Sequence, residues 1–564
     1  MTTKPWFQHY PEGTPEAVDF EELTLPEMLA QSTRLAPDSP ALRFFHCSMT
    51  FREVSAEVDK LAAALVDLGV KPGMCVAVQL PNMPQNLIGF FAALSVGAVV
   101  VMTNPLYTLR EVKHQWADAQ VHVAITADFV WKETLEPNRG ELNPKHYIIA
   151  SIPDYFPFPI SWLAKFKLKR SDPPRWAKVT PSDTVHLYKP LVAKSRSHAP
   201  RHKADWNELA LLQYTGGTTG ASKGAMLTHR NLSCNIQQIT AWFQGVKRGD
   251  TTMMTALPMY HVFGLTVCMG FSIYNGLKQV LIPNPRDFRA LATALADEKV
   301  NLFPAVPAMF NALNQWKGID ELDLNSLTYC FSGAAPISDS VLQSFEKRTS
   351  SRIIEGFGMT ETSPVAAANP LSGLRKIGSV GIPLPDTEIR IVNMEDGTSE
   401  MPLGEEGEIL IGGPQVMQGY WNRPEESAEV LRDGFMCTGD LGTMDEDGFL
   451  RIVGRKKDMI NCSGMKVFPD EVDAVLMDHP DIVEAATIGV PNEKRGETVK
   501  SFVVLRKGSN MTAEQVIQHC EDNLARYKVP RDVTFLDELP KSSVLKTLRR
   551  ELRAMEEQGR FAEN

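Results

Sequence analysis

Residues 209–225 join a short apolar run, LALLQY, to YTGGTTGASKGA, a stretch of glycine, threonine and serine with one lysine near its end. The apolar run has the length and character of a buried strand, so the small residues form a loop launched from a fixed base. Gly216, Gly217, Gly220 and Gly224 allow sharp turns and close backbone approach. Thr215, Thr218, Thr219 and Ser222 add hydroxyl donors, and Lys223 adds a positive charge. Backbone amides, hydroxyls and an ammonium gathered in one loop suit a polyphosphate. The spacing is not that of a Walker A loop, which needs lysine directly after glycine and a hydroxyl directly after the lysine. Here two residues separate Gly220 from Lys223, and Gly224 follows. Thr228 is an N-cap candidate, so the next helix starts there and no helix terminus opens from the loop itself.

A chain of 564 residues is too long for one core, and three or four structural units are expected. With 43% apolar and 22% charged residues, the composition is that of a soluble globular enzyme. A net charge of −10 argues against nucleic acid as the main partner. Eight cysteines are scattered with no C-x-x-C pair, which fits reduced thiols in a cytoplasm rather than a disulfide framework or a zinc site. The start, MTTKPWFQHYPEG, has no apolar signal-peptide core. The longest apolar run, residues 87–102, is too short and too glycine-interrupted to span a membrane and reads as a buried helix followed by a strand. One stretch departs from the overall charge: residues 165–203 hold eleven Lys/Arg against two Asp, just after FPFPISWLAKF. Two readings stand for 156–203: contact with an anionic membrane surface, or a solvated, partly disordered insertion.

Residues 1–150 alternate helical and strand patterns, with helices at 51–68 and 86–95 and strands at 75–80 and 122–125. Residues 205–390 repeat the alternation, with strands at 209–214, 279–282 and 301–305 and helices at 229–243 and 288–297. Such alternation indicates parallel sheets covered by helices. From about 377 to 441 the texture changes to short strands with Gly/Pro turns. The tail carries a helix after Pro469, strands near 485–489 and 499–505, a helix at 513–527 and a basic final helix. The expected fold class is therefore α/β: a large N-terminal domain of two helix-covered sheets plus a small β unit, followed by a mobile α+β C-terminal domain. The boundaries fall at 1–453, a charged hinge at 454–458, and 459–564.

Further groups suited to nucleotide chemistry follow in order. GFGMTET (356–362) offers Phe357 to stack on a purine, Thr360 to bond a phosphate and Glu361 to hold Mg²⁺. SGAA (332–335) would let backbone lie against a flat base. Asp440, in a tight turn, suits the two hydroxyls of a ribose. His261 lies between aromatics in PMYHVFG, and Lys546 precedes a basic helix in PKSSVLKTLRREL. Singly, each is equally consistent with ordinary packing. Their joint order, with GEILIGGPQVMQGYW, CTGD and GRKKD, resembles the acyl-adenylate-forming ligases from about Phe51 to Arg553. Residues 433–472, NPLYTLRE at 104–111 and LPKSSVLKTLRREL at 539–552 are similar to bacterial long-chain fatty acid–CoA ligases.

That resemblance implies ATP, Mg²⁺ and coenzyme A as cofactors and a long-chain fatty acid as substrate. It implies that Thr215, Gly216, Gly217, Thr218, Thr219, Gly220 and Lys223 cradle the ATP phosphates, with Thr215 and Glu361 near the metal. Gly333, Glu355, Gly356, Phe357, Gly358 and Thr360 would surround adenine and phosphate, and Asp440 and Arg455 the ribose. Lys546 would bridge the fatty carboxylate and the α-phosphate, and His261 would line the carboxylate site. Gly464 would flank the pantetheine channel, with Lys457 in the hinge beside the nucleotide. Thr215, His261, Glu361 and Lys546 form the expected catalytic set. The expected location is cytoplasmic, with peripheral contact to an anionic membrane through 156–203, and a homodimer is compatible with the sequence. Two other functions fit the same residues: a fatty acyl-AMP ligase serving a carrier protein, and a catalytically weakened fatty-acid-binding protein at a membrane. Leu545 stands where such ligases usually have glycine; a left-handed backbone there would cost an L side chain about 1–2 kcal/mol. Leu265 replaces a tryptophan found in some long-chain members, and Gly454 an aspartate found in many.

Overall fold

The computed structural model describes residues 4–197, 201–215, 222–243, 245–462, 465–492, 496–542 and 545–561. Two large sheets dominate the chain. The nine-stranded sheet opens at one edge with a hairpin, β1 (Pro40–Phe44) and β2 (Cys47–Thr50). Its interior strands, among them Thr252–Thr255, Lys278–Leu281 and Leu302–Ala305, pair in parallel. The seven-stranded sheet is parallel from Val185–Leu187 through Val99–Met102 to β3 (Leu209–Thr215). It ends in an antiparallel pair, β3 with β4 (Lys223–Thr228). The inner strands read as continuous apolar runs such as VVVM and are fully buried, as strands covered by helices on both faces must be.

The stretch 156–203 is built into the seven-stranded sheet. Its first part carries the surface helix α1 (Ile160–Lys169). Its second part supplies the edge strand Val185–Leu187 and the helix Tyr188–Lys194, which packs on Phe51–Asp67 with Tyr188 buried. The described residues of the second part are thus ordered structure rather than a loose insertion.

Between the large sheets runs α2 (His229–Trp242), capped by Thr228 through a reciprocal box with Asn231. Almost every side of α2 is buried, including Asn231, Asn235, Gln237 and Gln238. Next come β5 (Tyr329–Ser332) and β6 (Arg352–Gly358), parallel neighbours in the nine-stranded sheet that align Ser332 with Glu355. After Ile382–Pro383, which joins the edge of the nine-stranded sheet, the glycine-punctuated segment forms a separate antiparallel sheet, in which β7 (Phe435–Met444) pairs with β8 (Leu450–Arg455). A short turn leads from β8 to the five-stranded sheet of the tail, whose long hairpin Ile482–Asn492/Gly496–Leu505 is backed by Pro469–Met477 and Ala513–Asn523. The last of these helices stops four residues before the expected 527, because the chain turns extended at Leu524. No helix among the described residues is long and apolar enough to cross a membrane.

Candidate active site

The hairpin β3–β4 places Thr215 directly opposite Lys223, so the glycine-rich stretch is the connection between two paired strands. Residues 216–221, and with them the calls on Gly216, Gly217, Thr218, Thr219 and Gly220, lie outside the described residues, as does Gly464. Tyr214 anchors the base of the hairpin by donating its hydroxyl to Asp118 at 2.6 Å. The segment 418–421 adds to β4 as a further strand, through Met226 N–H to Gly419 O at 2.9 Å and Trp421 N–H to Gly224 O at 2.8 Å. Lys223 turns toward this added strand, where its ammonium meets Glu426 and lies over the Tyr420 ring. It is therefore paired within the protein, on a strand rather than a loop tip.

The added strand delivers Tyr420 to Glu361. The Tyr420 hydroxyl donates to Glu361 Oε1 at 2.7 Å, and the Met417 amide donates to the Glu361 carbonyl at 2.8 Å. Glu361 sits on a short 3₁₀ turn, Thr360–Thr362, directly after β6, and its burial pushes the carboxyl pKa up against the Tyr420 hydrogen bond. A buried carboxylate with few protein donors fits a hard cation that prefers oxygen and completes its shell from phosphate and water. Among the described residues no group of three or more His, Cys, Asp or Glu forms an all-protein cage.

The ends of β5 and β6 form a flat, small-residue floor. A side chain at Gly333 would meet the Phe263 ring at 3.1 Å, so the glycine lets that ring lie close against the backbone. Phe357 on β6 is half-buried against the same core, and Gly356 pairs with Ala368. Glu355 is buried, and its carboxyl is raised to about 7 by desolvation, against backbone amides of Gly378 and Ile337. The Ser332 hydroxyl is buried beside it without a protein partner.

Opposite this floor, Asp440 and Arg455 are register partners on β7 and β8, joined from Nε to Oδ1 at 2.8 Å. Lys546 closes the group from the tail. Its backbone is fixed by Ser542 N–H to Lys546 O at 2.8 Å and by Lys546 N–H to Ser542 Oγ at 3.1 Å. Lys546 is exposed, yet desolvation by the surrounding protein and then the Arg455 charge push its pKa down, with Asp440 and Asp470 opposing. Lys546 also acts on His261, whose imidazole is held at about 4 by burial first and by that ammonium second. His261 Nδ1 accepts the Phe263 amide at 3.3 Å, which leaves the ring proton on Nε2. The segment after His261 winds as a π-helix, Phe263–Gly270, a form frequent at functional sites. Gly264 makes that winding possible, since a Cβ there would stand 2.3 Å from the Pro258 carbonyl oxygen. Leu265 is buried within it.

Thus Glu361, Asp440, Arg455, Lys546 and His261, separated by up to 285 residues, act on one another's charges in one cleft. Lys457 is exposed on the turn after β8. The residue that sequence reading passes over is Tyr420: it stands inside GEILIGGPQVMQGYW, but only the pairing of 418–421 with β4 brings it to Glu361.

Residues 29–421 match the AMP-binding enzyme family, and residues 471–546 match the AMP-binding enzyme C-terminal domain. The long-chain-fatty-acid–CoA ligase of Bacillus subtilis (strain 168) is 40% identical over 559 residues, 98% of each chain. The crystal structure of the anthranilate CoA ligase AuaEII with anthranoyl-AMP is similar with a TM-score of 0.85 at 25% identity, covering 95% of this chain and 98% of that one. ATP-bound MatB from Rhodopseudomonas palustris gives a TM-score of 0.78 at 27% identity, over 94% and 99%. The chain belongs to the AMP-binding enzyme family.

Two measurements test the site. In Tyr420→Phe, Glu361 loses the bond that favours its ionised form, so the acid limb of pyrophosphate exchange moves upward in pH; an unmoved limb would separate Glu361 ionisation from the reaction. Because His261 is held at about 4, its imidazole stays neutral from pH 5.5 to 8. Acyl-AMP formation should then show no limb near pH 6.5 that His261→Asn removes.

Proposed function

We infer that this chain is an ATP-dependent long-chain fatty acid–CoA ligase that works through a fatty acyl-AMP intermediate, releasing first pyrophosphate and then AMP. The observation that carries the reading is Lys546, delivered from the tail to the same cleft as the Asp440–Arg455 pair and His261. A carboxylate attacking the α-phosphate brings two anions together, and two unit charges 4 Å apart repel by about 4 kcal/mol at an effective dielectric of 20. Lys546 offsets that repulsion from a point where it reaches both partners. His261, neutral and protonated on Nε2, orients the fatty carboxylate by donation without adding a charge. Gly333, Gly356 and Phe357 receive the adenine, Asp440 and Arg455 the ribose, and Thr215 and Lys223 the phosphates at the mouth of the hairpin. Thr215 and Glu361 are the residues that would hold Mg²⁺, which when bound supplies positive charge to the phosphate oxygens.

Thioester formation needs the lysine withdrawn and a thiol admitted. The turn 456–458 suits a hinge, since β8 ends at Arg455 in one sheet and Ile460–Cys462 begins another. Its charges are tied to both sides, Lys456 to Glu408 at 2.9 Å and Asp458 to Arg553 at 2.9 Å. Such contacts can be exchanged when a domain rotates. With purified enzyme, ATP, Mg²⁺ and a C16 acid, acyl-AMP should accumulate without CoA and be converted to acyl-CoA on its addition. Acyl-AMP that persists with CoA present would instead favour transfer to a carrier protein.

We further propose that the enzyme is cytoplasmic and touches an anionic membrane through α1. Phe158, Trp162, Leu163 and Phe166 are 86%, 64%, 54% and 53% exposed, flanked by Lys165, Lys167, Lys169 and Arg170. Exposed Phe45, at the tip of the β1–β2 hairpin, extends this apolar face through its contact with the Phe156 ring at 6.0 Å. An amphipathic surface helix with apolar and basic residues binds the headgroup boundary without spanning it. Sedimentation with vesicles containing anionic lipid should fall several-fold when the four basic residues become Gln, and fall with added salt. Salt-insensitive binding that survives these changes would place the contact elsewhere.

A further inference from the structure

Leu545 adopts φ +60°, the left-handed conformation that a side chain with a Cβ ordinarily avoids. The turn that contains it is closed by Leu545 N–H to Ser542 O at 3.0 Å and by the Ser542–Lys546 hydrogen bonds, with Lys541 and Thr547 bridged beyond them. Glycine would make this turn without strain, so the leucine side chain needs a separate reason to be there. It is half-buried and packs on the apolar core of the large domain that includes Ile353, Ile354 and Ala366, with Phe357 and Ile452 at its margin. Among the described residues, Leu545 is the only member of that cluster from beyond the turn 456–458. Its neighbours in the tail pack into two other clusters.

The strained residue is thus the one that carries the tail, among the described residues, into that core of the large domain, directly beside Lys546. We propose that Leu545 is a positioning residue, a latch that holds the Lys546 loop against the large domain and biases the enzyme toward the arrangement that forms acyl-AMP. The contact exists only while the tail is docked, and the backbone is free to leave the left-handed region once the loop is released. A group that interacts with one of two arrangements shifts the balance toward it by its differential interaction alone. The latch therefore favours adenylation at the expense of the rotated arrangement needed for thioester formation. It acts through Lys546 and touches no substrate. The inference rests on the ligase reading.

The test separates the two half-reactions in Leu545→Gly, Leu545→Ala and Leu545→Met. The first is acyl-AMP formation from ATP and a long-chain acid without CoA; the second is acyl-CoA formation from supplied acyl-AMP and CoA. In the Ala variant, which keeps the left-handed strain but loses the contact, the kcat of the first should fall about five- to tenfold, the free-energy scale of one lost apolar contact, with the KM for ATP little changed; in the Gly variant, which also sheds the strain, it should fall less. The second should be unchanged or faster, and Met, which keeps the side-chain volume, should retain the first. Equal loss in both half-reactions, or no loss in either, overturns the latch. So does a slower Ala variant beside a faster Gly variant, which would assign the effect to backbone strain. Wild-type enzyme inactive in both half-reactions refutes the ligase reading itself and the latch with it; wild type active in both, with insensitive variants, refutes the latch alone.

Discussion

The large domain depends on a helix that turns its polar side chains inward. Along α2, Asn231 donates to the carbonyls of Pro414 and Val416, both at 2.8 Å. Asn235 bonds both backbone groups of Val365, and Gln238 reaches the Pro385 carbonyl at 2.7 Å. Buried amides of this kind are costly unless every partner is in place. They therefore specify where the segments after β6 and before β7 must lie relative to β3 and β4. Val365 follows the Glu361 turn, and Val416 precedes the strand that bears Tyr420. The helix thereby fixes both members of the Glu361–Tyr420 pair, and the hairpin that presents Thr215 ends one residue before its N-terminus.

On that frame the charges of the cleft are held away from their solution values. Burial raises Glu361 and Asp440 and lowers Lys546 and His261, in each case disfavouring the charged form. The groups oppose one another's shifts only in part: Arg455 steadies Asp440 and Glu361 but acts against Lys546. A cleft in this condition gains when a polyanion and a cation enter together, since each supplies charge that the protein leaves uncompensated.

Much of this was legible in the chain. The 10-residue helix Phe288–Asp297 is found at the residues its periodicity gives, and the helix 229–243 ends one residue early. The strand, loop and Thr228 cap around the glycine-rich run follow from local chemistry, and Glu361, Asp440, Arg455 and Lys546 stood out through the order of their motifs. What was not legible depends on contacts distant in sequence. Tyr420 becomes part of the site by pairing with Ala225, nearly two hundred residues away, and Lys223 is claimed by Glu426 through the same added strand. The π-helical winding after His261 comes from Gly264 against the Pro258 carbonyl, an approach that no apolar periodicity encodes.

The two parts of the chain are joined in different ways, and the difference matches what each must do. Within the large domain, segments hundreds of residues apart are tied by buried backbone-to-amide bonds that cannot be exchanged without leaving polar groups unpaired. The tail has its own sheet and core, reaches the rest through a turn of three residues, and is tethered there by ion pairs whose basic partners remain half-exposed. A reaction with two successive acceptors in one cleft needs such an asymmetry. The nucleotide must be held still through both steps while the lysine arrives for one and leaves for the other. A rigid frame with a lightly fastened carrier of Lys546 meets both demands, and the fastening at Leu545 then sets how the time is divided between them.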